Sequence, residues 1–140
     1  MVAKPCLLVV DDEPNVVQTV KDLLRLEYKV LVATRARDGL ALMEREDVHI
    51  VMSDQRMPEM TGLELLRQIK DIDPSTVRIL ITGYSDLQTV VQALNEGLVW
   101  QYVAKPWSLD ELRALVLRGA RRYLQDAGVD PGTYPGLLGM

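Results

Sequence analysis

Five short apolar runs, each closed by polar or charged residues, constrain this chain more than any other feature. Cys6-Leu7-Leu8-Val9-Val10 stops at Asp11-Asp12, and Val30-Leu31-Val32-Ala33 forms a second run. His49-Ile50-Val51-Met52-Ser53 stops at Asp54, and Val77-Arg78-Ile79-Leu80-Ile81 stops at Thr82-Gly83. Val99-Trp100-Gln101-Tyr102-Val103-Ala104 stops at Lys105-Pro106. Apolarity that is continuous rather than alternating belongs to strands buried on both faces, the mark of a parallel sheet. Parallel strands need long crossovers, and the intervening segments read as helices. Pro14 suits a first helical turn, with Val16, Val17, Val20, Leu23 and Leu24 at helical spacing behind it. Thr61-Gly62-Leu63-Glu64, Ser85-Asp86-Leu87-Gln88 and Ser108-Leu109-Asp110-Glu111 each match a capping box. The helix after Val32-Ala33 has the weakest bounds, around Leu40 to Arg45. The expected fold is α/β, five βα units wound into a doubly wound five-stranded parallel sheet.

Composition narrows the function classes. A length of 140 residues suits one domain. The net charge of −4 and pI near 5.0 argue against a nucleic-acid module, which needs a basic stripe. The single cysteine, Cys6, excludes an internal disulfide framework and a cysteine zinc cluster, and reads as a reduced strand residue. No apolar run approaches the roughly 18 residues of a membrane span, and Met1 to Pro5 is too soon interrupted for a signal peptide. A cytoplasmic protein is expected. From Ala127 onward, Gly or Pro occupies six of fourteen places, so the expected division is a domain over 1–126 and a tail or linker over 127–140.

In open α/β sheets ligands bind beyond the carboxyl ends of the strands. There the runs end in Asp11, Asp12, Asp54, Thr82 and Lys105. Each alone reads as a turn or cap residue; together on one sheet edge they read as a site. Clustered carboxylates repel unless a cation sits among them. An oxygen-only set suits a hard ion, Mg²⁺ above all, which favours a phosphate oxygen as its next ligand. Lys105 would add a second positive charge, Thr82 a hydrogen bond, and one carboxylate could act as nucleophile to form an aspartyl phosphate.

Val9-Val10-Asp11-Asp12-Glu13, Ser53-Asp54-Gln55-Arg56-Met57-Pro58, Thr82-Gly83 and Lys105-Pro106 resemble, in order and spacing, the receiver domain of two-component response regulators. The resemblance covers about residues 5 to 124 and implies a flavodoxin-like sheet of order 2-1-3-4-5. It implies Asp54 as phosphoacceptor, taking its phosphoryl group from a histidine kinase or a phosphotransfer protein. Asp12, Asp54 and the backbone carbonyl of Arg56 would hold Mg²⁺ directly, and Asp11 through water. Lys105 would pair with the phosphoryl group, and Thr82 and Tyr102 would form a switch pair. Arg56 and Tyr84, two residues beyond Asp54 and Thr82, stand where the family tunes hydrolysis. Their bulk predicts slow self-dephosphorylation.

The combination of Ser-Asp-Gln-Arg-Met-Pro-Glu-Met-Thr-Gly with Thr-Gly-Tyr and Lys-Pro-Trp is similar to receivers often attached to HD-GYP, cyclase or kinase modules. Trp107, Leu87 and Val91, with the last two helices and last strand, form the expected face for a homodimer, an output domain or a partner protein. The expected role is a signalling phosphoacceptor rather than a metabolic enzyme. The receiver consumes nearly all of these residues, so the expectation is a stand-alone receiver or one ending at the start of a linker. Two other classes compete. An aspartyl-phosphate phosphohydrolase would carry a second acid two residues after its nucleophile, where Arg56 stands. A receiver-like scaffold would have lost an acid or the lysine, and none is missing.

Overall fold

All five apolar runs become neighbouring parallel strands. They are β1 (Cys6–Val10), β2 (Lys29–Ala33), β3 (Ile50–Asp54), β4 (Val77–Thr82) and β5 (Gln101–Ala104), in the order β2-β1-β3-β4-β5. The computed structural model describes residues 3–83 and 86–134. Five helices make the crossovers: α1 (Pro14–Leu24), α2 (Ala36–Arg45), α3 (Gly62–Ile72), α4 (Leu87–Asn95) and α5 (Leu109–Ala127). This is the flavodoxin-like arrangement expected. Every residue of β1, β3 and β4 is buried, whereas the edge strands β2 and β5 are only partly so.

Strand alternation sorts the core into two layers. Leu7, Val9, Ile50, Met52, Ile79 and Ile81 pack against α1 and α5 through Val20, Leu24, Leu112 and Val116. Leu8, Val10, Val51 and Leu80 pack against α2, α3 and α4 through Met43, Leu66, Ile69 and Val90. Burying each large apolar side chain contributes roughly 1.5–3 kcal/mol. An arginine penetrates this frame within β4. Arg78 is buried and donates to the carbonyls of Leu98 (2.7 Å), Thr76 (2.9 Å), Pro74 (3.2 Å) and Gly97 (3.3 Å). It thereby ties the loop after α4 to the loop before β4.

Thr61 and Ser108 cap their helices as expected, each accepting at 3.1 Å from the N–H three residues on. Four features differ from the sequence reading. Helix α2 starts at Ala36, one turn before the segment that looked helical, because Arg35 stands at its N-cap without a side-chain bond and Gly39 interrupts the pattern. Gly39 packs closely on β1, where a Cβ would lie 3.0 Å from Val10 Cγ2. The N-cap of α4 is Asp86 rather than Ser85, which lies outside the described residues. The run at Val99-Trp100 enters the sheet only at Gln101. Helix α5 runs on through Ala127, the first residue of the expected tail, and near its end Arg122 pairs with Asp126 at 2.8 Å.

Past α5 the chain turns back. Gly128 adopts φ 67°, the left-handed cap that glycine takes without strain, and Val129 N–H donates to Leu124 O. A 3-10 turn over Pro131–Thr133 follows, and Val129 and Tyr134 pack against the core. Tyr134 meets the edge of His49, whose ring also lies 4.6 Å from that of Tyr123. The His49 Nδ1 accepts the Cys6 N–H at 2.8 Å, which requires an unprotonated Nδ1. The beginning of the Gly/Pro-rich segment is therefore packed on the sheet's end remote from Asp54.

Candidate functional site

The carboxyl ends of β1, β3, β4 and β5 converge on one edge. Asp11 directly follows β1, Asp54 closes β3, Thr82 closes β4 and Lys105 follows β5. Backbone bonds hold these ends in step: Gln55 N–H donates to Ile81 O at 3.0 Å and Lys105 N–H to Thr82 O at 2.9 Å. Behind Asp54, Gln55 fastens the start of α3, its Oε1 accepting from Leu63 N–H at 2.9 Å and its carbonyl from Gly62 N–H at 3.0 Å. A Cβ at position 62 would collide with the Asp54 carbonyl oxygen, so glycine alone fits this close approach.

Asp11, Asp12 and Asp54 each offer an oxygen such that all three lie within 4.8 Å of one another. Asp11 and Asp54 are buried and Asp12 is exposed, so the cluster opens to solvent on one side. Lys105 Nζ lies 3.1 Å from Asp54 Oδ1 and 3.9 Å from Asp11 Oδ2. Asp11 Oδ1 accepts from Glu13 N–H at 3.0 Å, while its buried Oδ2 has no hydrogen-bond partner among the described residues. Burial pushes the Asp11 carboxyl up to about 6, against the Glu13 bond and with help from Asp54. Burial weakens the Lys105 charge, but the hydrogen bond and field of Asp54, with Asp11 and Glu13, outweigh it and hold the ammonium above its usual range. An orphaned buried carboxylate oxygen among three acids fits a hard divalent cation, and with oxygen donors alone Mg²⁺ is the natural occupant.

Thr82 is buried at this edge, and its hydroxyl faces Gly83 O at 3.1 Å and Asp86 Oδ2 at 3.4 Å. Arg56 reaches the same carboxylate, Nε to Oδ2 at 3.3 Å and Nη2 to Oδ1 at 3.4 Å. Sequence reasoning gave Asp86 no role beyond its place in the capping-box match, since the residue that opens a helix after a loop reads as a cap. Asp12, Gln55, Arg56, Met57, Pro58, Thr61 and Asp86 line an open cleft of about 530 Å³ beside the acids. Tyr102, opposite Leu80 in the sheet, is half-buried against the α3 and α4 layer. Tyr84 lies outside the described residues.

The residues of the expected partner face lie on two elements of the fold. Leu87 and Val91 lie exposed on α4, at 46% and 47%. Trp107 packs toward the α1 and α5 layer and lines a groove with Glu13, Val16, Lys105 and Pro106. The chain leaves β5 toward α5, the layer opposite α4, and takes Trp107 with it. Cys6, buried with its thiol pushed up to about 11 by that burial, is inert.

The response regulator receiver domain family matches residues 7–117. The chain belongs to this family. Hydrogenase transcriptional regulatory protein HoxA of Bradyrhizobium diazoefficiens is 36% identical over 129 residues, 89% of this chain and 27% of HoxA. Among solved structures, the signal receiver domain of an HD domain-containing protein from Pseudomonas fluorescens superimposes with TM-score 0.83 at 32% identity, covering 91% of this chain and 95% of that one. An adenylate cyclase from Rhodopirellula baltica gives TM-score 0.87 at 29% identity, covering 90% of this chain and 94% of that one. The chain spans about a quarter of the length of the curated relatives it matches. Receiver domains serve signalling by response regulators, and that coarse role belongs to this chain. Among the described residues, no helix is long and apolar enough to cross a membrane.

Proposed function

We propose that this receiver accepts a phosphoryl group on Asp54 from a histidine kinase or phosphotransfer protein and relays the change to an output domain or partner protein. The observation that carries the proposal is the Lys105 ammonium at 3.1 Å from Asp54 Oδ1, beside three carboxylates within 4.8 Å of one another. An Asp54 oxygen attacks phosphorus as the donor's P–N bond breaks, and the imidazole leaves. Lys105 neutralises the phosphoryl oxygens and orients Asp54. Asp11, Asp12, Asp54 and the Arg56 carbonyl would hold Mg²⁺, which when bound supplies charge neutralisation at the transferring group. Thr82 then donates its hydroxyl to the phosphoryl group, and Tyr102 follows inward behind it, biasing α4 and β5.

The chain's work is signalling, in the cytoplasm, rather than metabolic turnover. Arg56, held on Asp86 beside the cleft, and Tyr84 remain the residues proposed to slow hydrolysis. Dimer or partner contacts fall to the last two helices and last strand, through Leu87 and Val91 on α4 and Trp107 between β5 and α5. Incubation with acetyl phosphate and Mg²⁺, followed by intact mass over time, tests this reading. A lasting gain of about 80 Da that Asp54→Ala abolishes supports it. Continuous turnover without a lasting adduct indicates a phosphohydrolase, and no reaction indicates a scaffold.

A further inference from the structure

We propose that Asp86 is a positioning residue that withholds the Thr82 hydroxyl from the Asp54 site, with Arg56 as the cation that keeps the Asp86 carboxylate in place. The proposal rests on Asp54 being the phosphoacceptor. Asp86 stands at the N-cap of α4, where an aspartate ordinarily accepts from the first N–H groups of its own helix. It makes no such bond. Its carboxylate instead faces the Thr82 hydroxyl at 3.4 Å and the forked guanidinium of Arg56 at 3.3 and 3.4 Å. Three segments meet in this one group: the end of β4, the loop after β3 and the first turn of α4.

The Asp86 side chain is 18% exposed and that of Arg56 is 72% exposed. The carboxylate is thus shielded on its Thr82 side while the arginine closes the solvent side. A hydroxyl has one proton to donate. While Asp86 or Gly83 O holds that proton, Thr82 cannot donate it to a phosphoryl oxygen. A phosphoryl group on Asp54 brings a charge of roughly −1.5 to −2 and three strong acceptors, and so competes for the same hydroxyl. When Thr82 turns away, Asp86 loses a partner at the α4 start and regains the option of capping its own helix. Phosphorylation is thereby coupled to the first turn of α4 through a side chain already in place. By linkage, weakening the hold of Asp86 must favour the phosphoryl-bound state.

The test is the affinity of the full chain for beryllofluoride with Mg²⁺, a stable stand-in for the aspartyl phosphate, in a double-mutant cycle with Thr82. Asp86→Ala is expected to bind about three- to tenfold more tightly, the range of one ordinary hydrogen bond. In a Thr82→Ala background that gain should fall below about twofold, because the restrained hydroxyl is gone. Asp86→Ser restores a helix cap without the reach to Thr82 and Arg56, and should reproduce the gain even if the alanine variant folds poorly. Unchanged affinity in Asp86→Ala and Asp86→Ser overturns the proposal. An equal gain in the Thr82→Ala background also overturns it, since removal of negative charge alone would then account for the effect. Wild type that binds beryllofluoride no better than Asp54→Ala overturns the acceptor reading itself, a result distinct from the other two.

Discussion

Replacing Asp11 by asparagine should stabilise the metal-free fold at neutral pH. Asp11 is fully buried, and its Oδ2 has no hydrogen-bond partner among the described residues. The nearest cation, Lys105 Nζ, is 3.9 Å from that oxygen and closer to Asp54. Burial, reinforced by Asp54, raises the carboxyl from 3.8 to about 6. At 1.36 kcal/mol per unit, the ionised group costs the metal-free fold up to ~3 kcal/mol. The folded state therefore binds its proton more tightly than the unfolded state. Stability from this group is full below about pH 4 and is lost as pH rises through about 6.

Asparagine keeps the Oδ1 that accepts from Glu13 and removes the charge. In EDTA at pH 7.5 the variant should exceed wild type by roughly 1–3 kcal/mol, about 3–9 °C in Tm. The difference should shrink toward zero near pH 4. Added Mg²⁺ should stabilise wild type by ligand linkage and the variant far less. Urea titrations of both proteins at pH 4 and 7.5, with EDTA or Mg²⁺, measure all of this as differences. A variant no more stable than wild type at pH 7.5 in EDTA would refute the reasoning, because Asp11 would then bear no uncompensated buried charge.

Other consequences are local. Arg78→Leu strips four backbone carbonyls of their donor, and should lower stability by about 3 kcal/mol or more in urea. Gly62→Ala forces a Cβ onto the Asp54 carbonyl; a loss of about 1–3 kcal/mol is expected, with weaker Mg²⁺ binding by fluorescence titration. Burial holds the His49 pKa below 6.5 against the pull of Asp47. Stability from a neutral His49 is present above pH 6.5 and declines as pH falls further. A His49→Gln variant should flatten that decline in a pH series of thermal melts. Tyr134→Ala, which removes a ring packed on His49, should cost about 1 kcal/mol.

The fold was legible because its strands are buried on both faces and announce themselves as unbroken apolar runs, with Cys6–Val10 read to the residue. Legibility failed where local chemistry was silent. Arg35 makes no side-chain capping bond and Gly39 is a poor helix former, so the first turn of α2 carried no signal, although a Cβ at position 39 would crowd Val10 Cγ2 at 3.0 Å. Asp11, Asp54, Thr82 and Lys105 were legible as a group because strand ends in a parallel sheet must share an edge. Asp86 was not, since its contacts with Arg56 and Thr82 depend on a carboxylate turned away from its own helix. The layer that Trp107 joins was not legible, because adjacency to β5 in sequence does not tell which side of the sheet the chain enters next. The fold-back of Val129 and Tyr134 was hidden by the Gly and Pro residues around them.

The central claim is that one side chain, Asp54, takes the phosphoryl group and that the acids around it need a divalent cation to do so. Peptide mapping by mass spectrometry after incubation with acetyl phosphate, in Mg²⁺ and in EDTA, tests it most directly. The account predicts a single phosphoryl group on the peptide containing Asp54, present with Mg²⁺ and absent with EDTA. Label on another residue, or label that persists in Asp54→Ala, would contradict it.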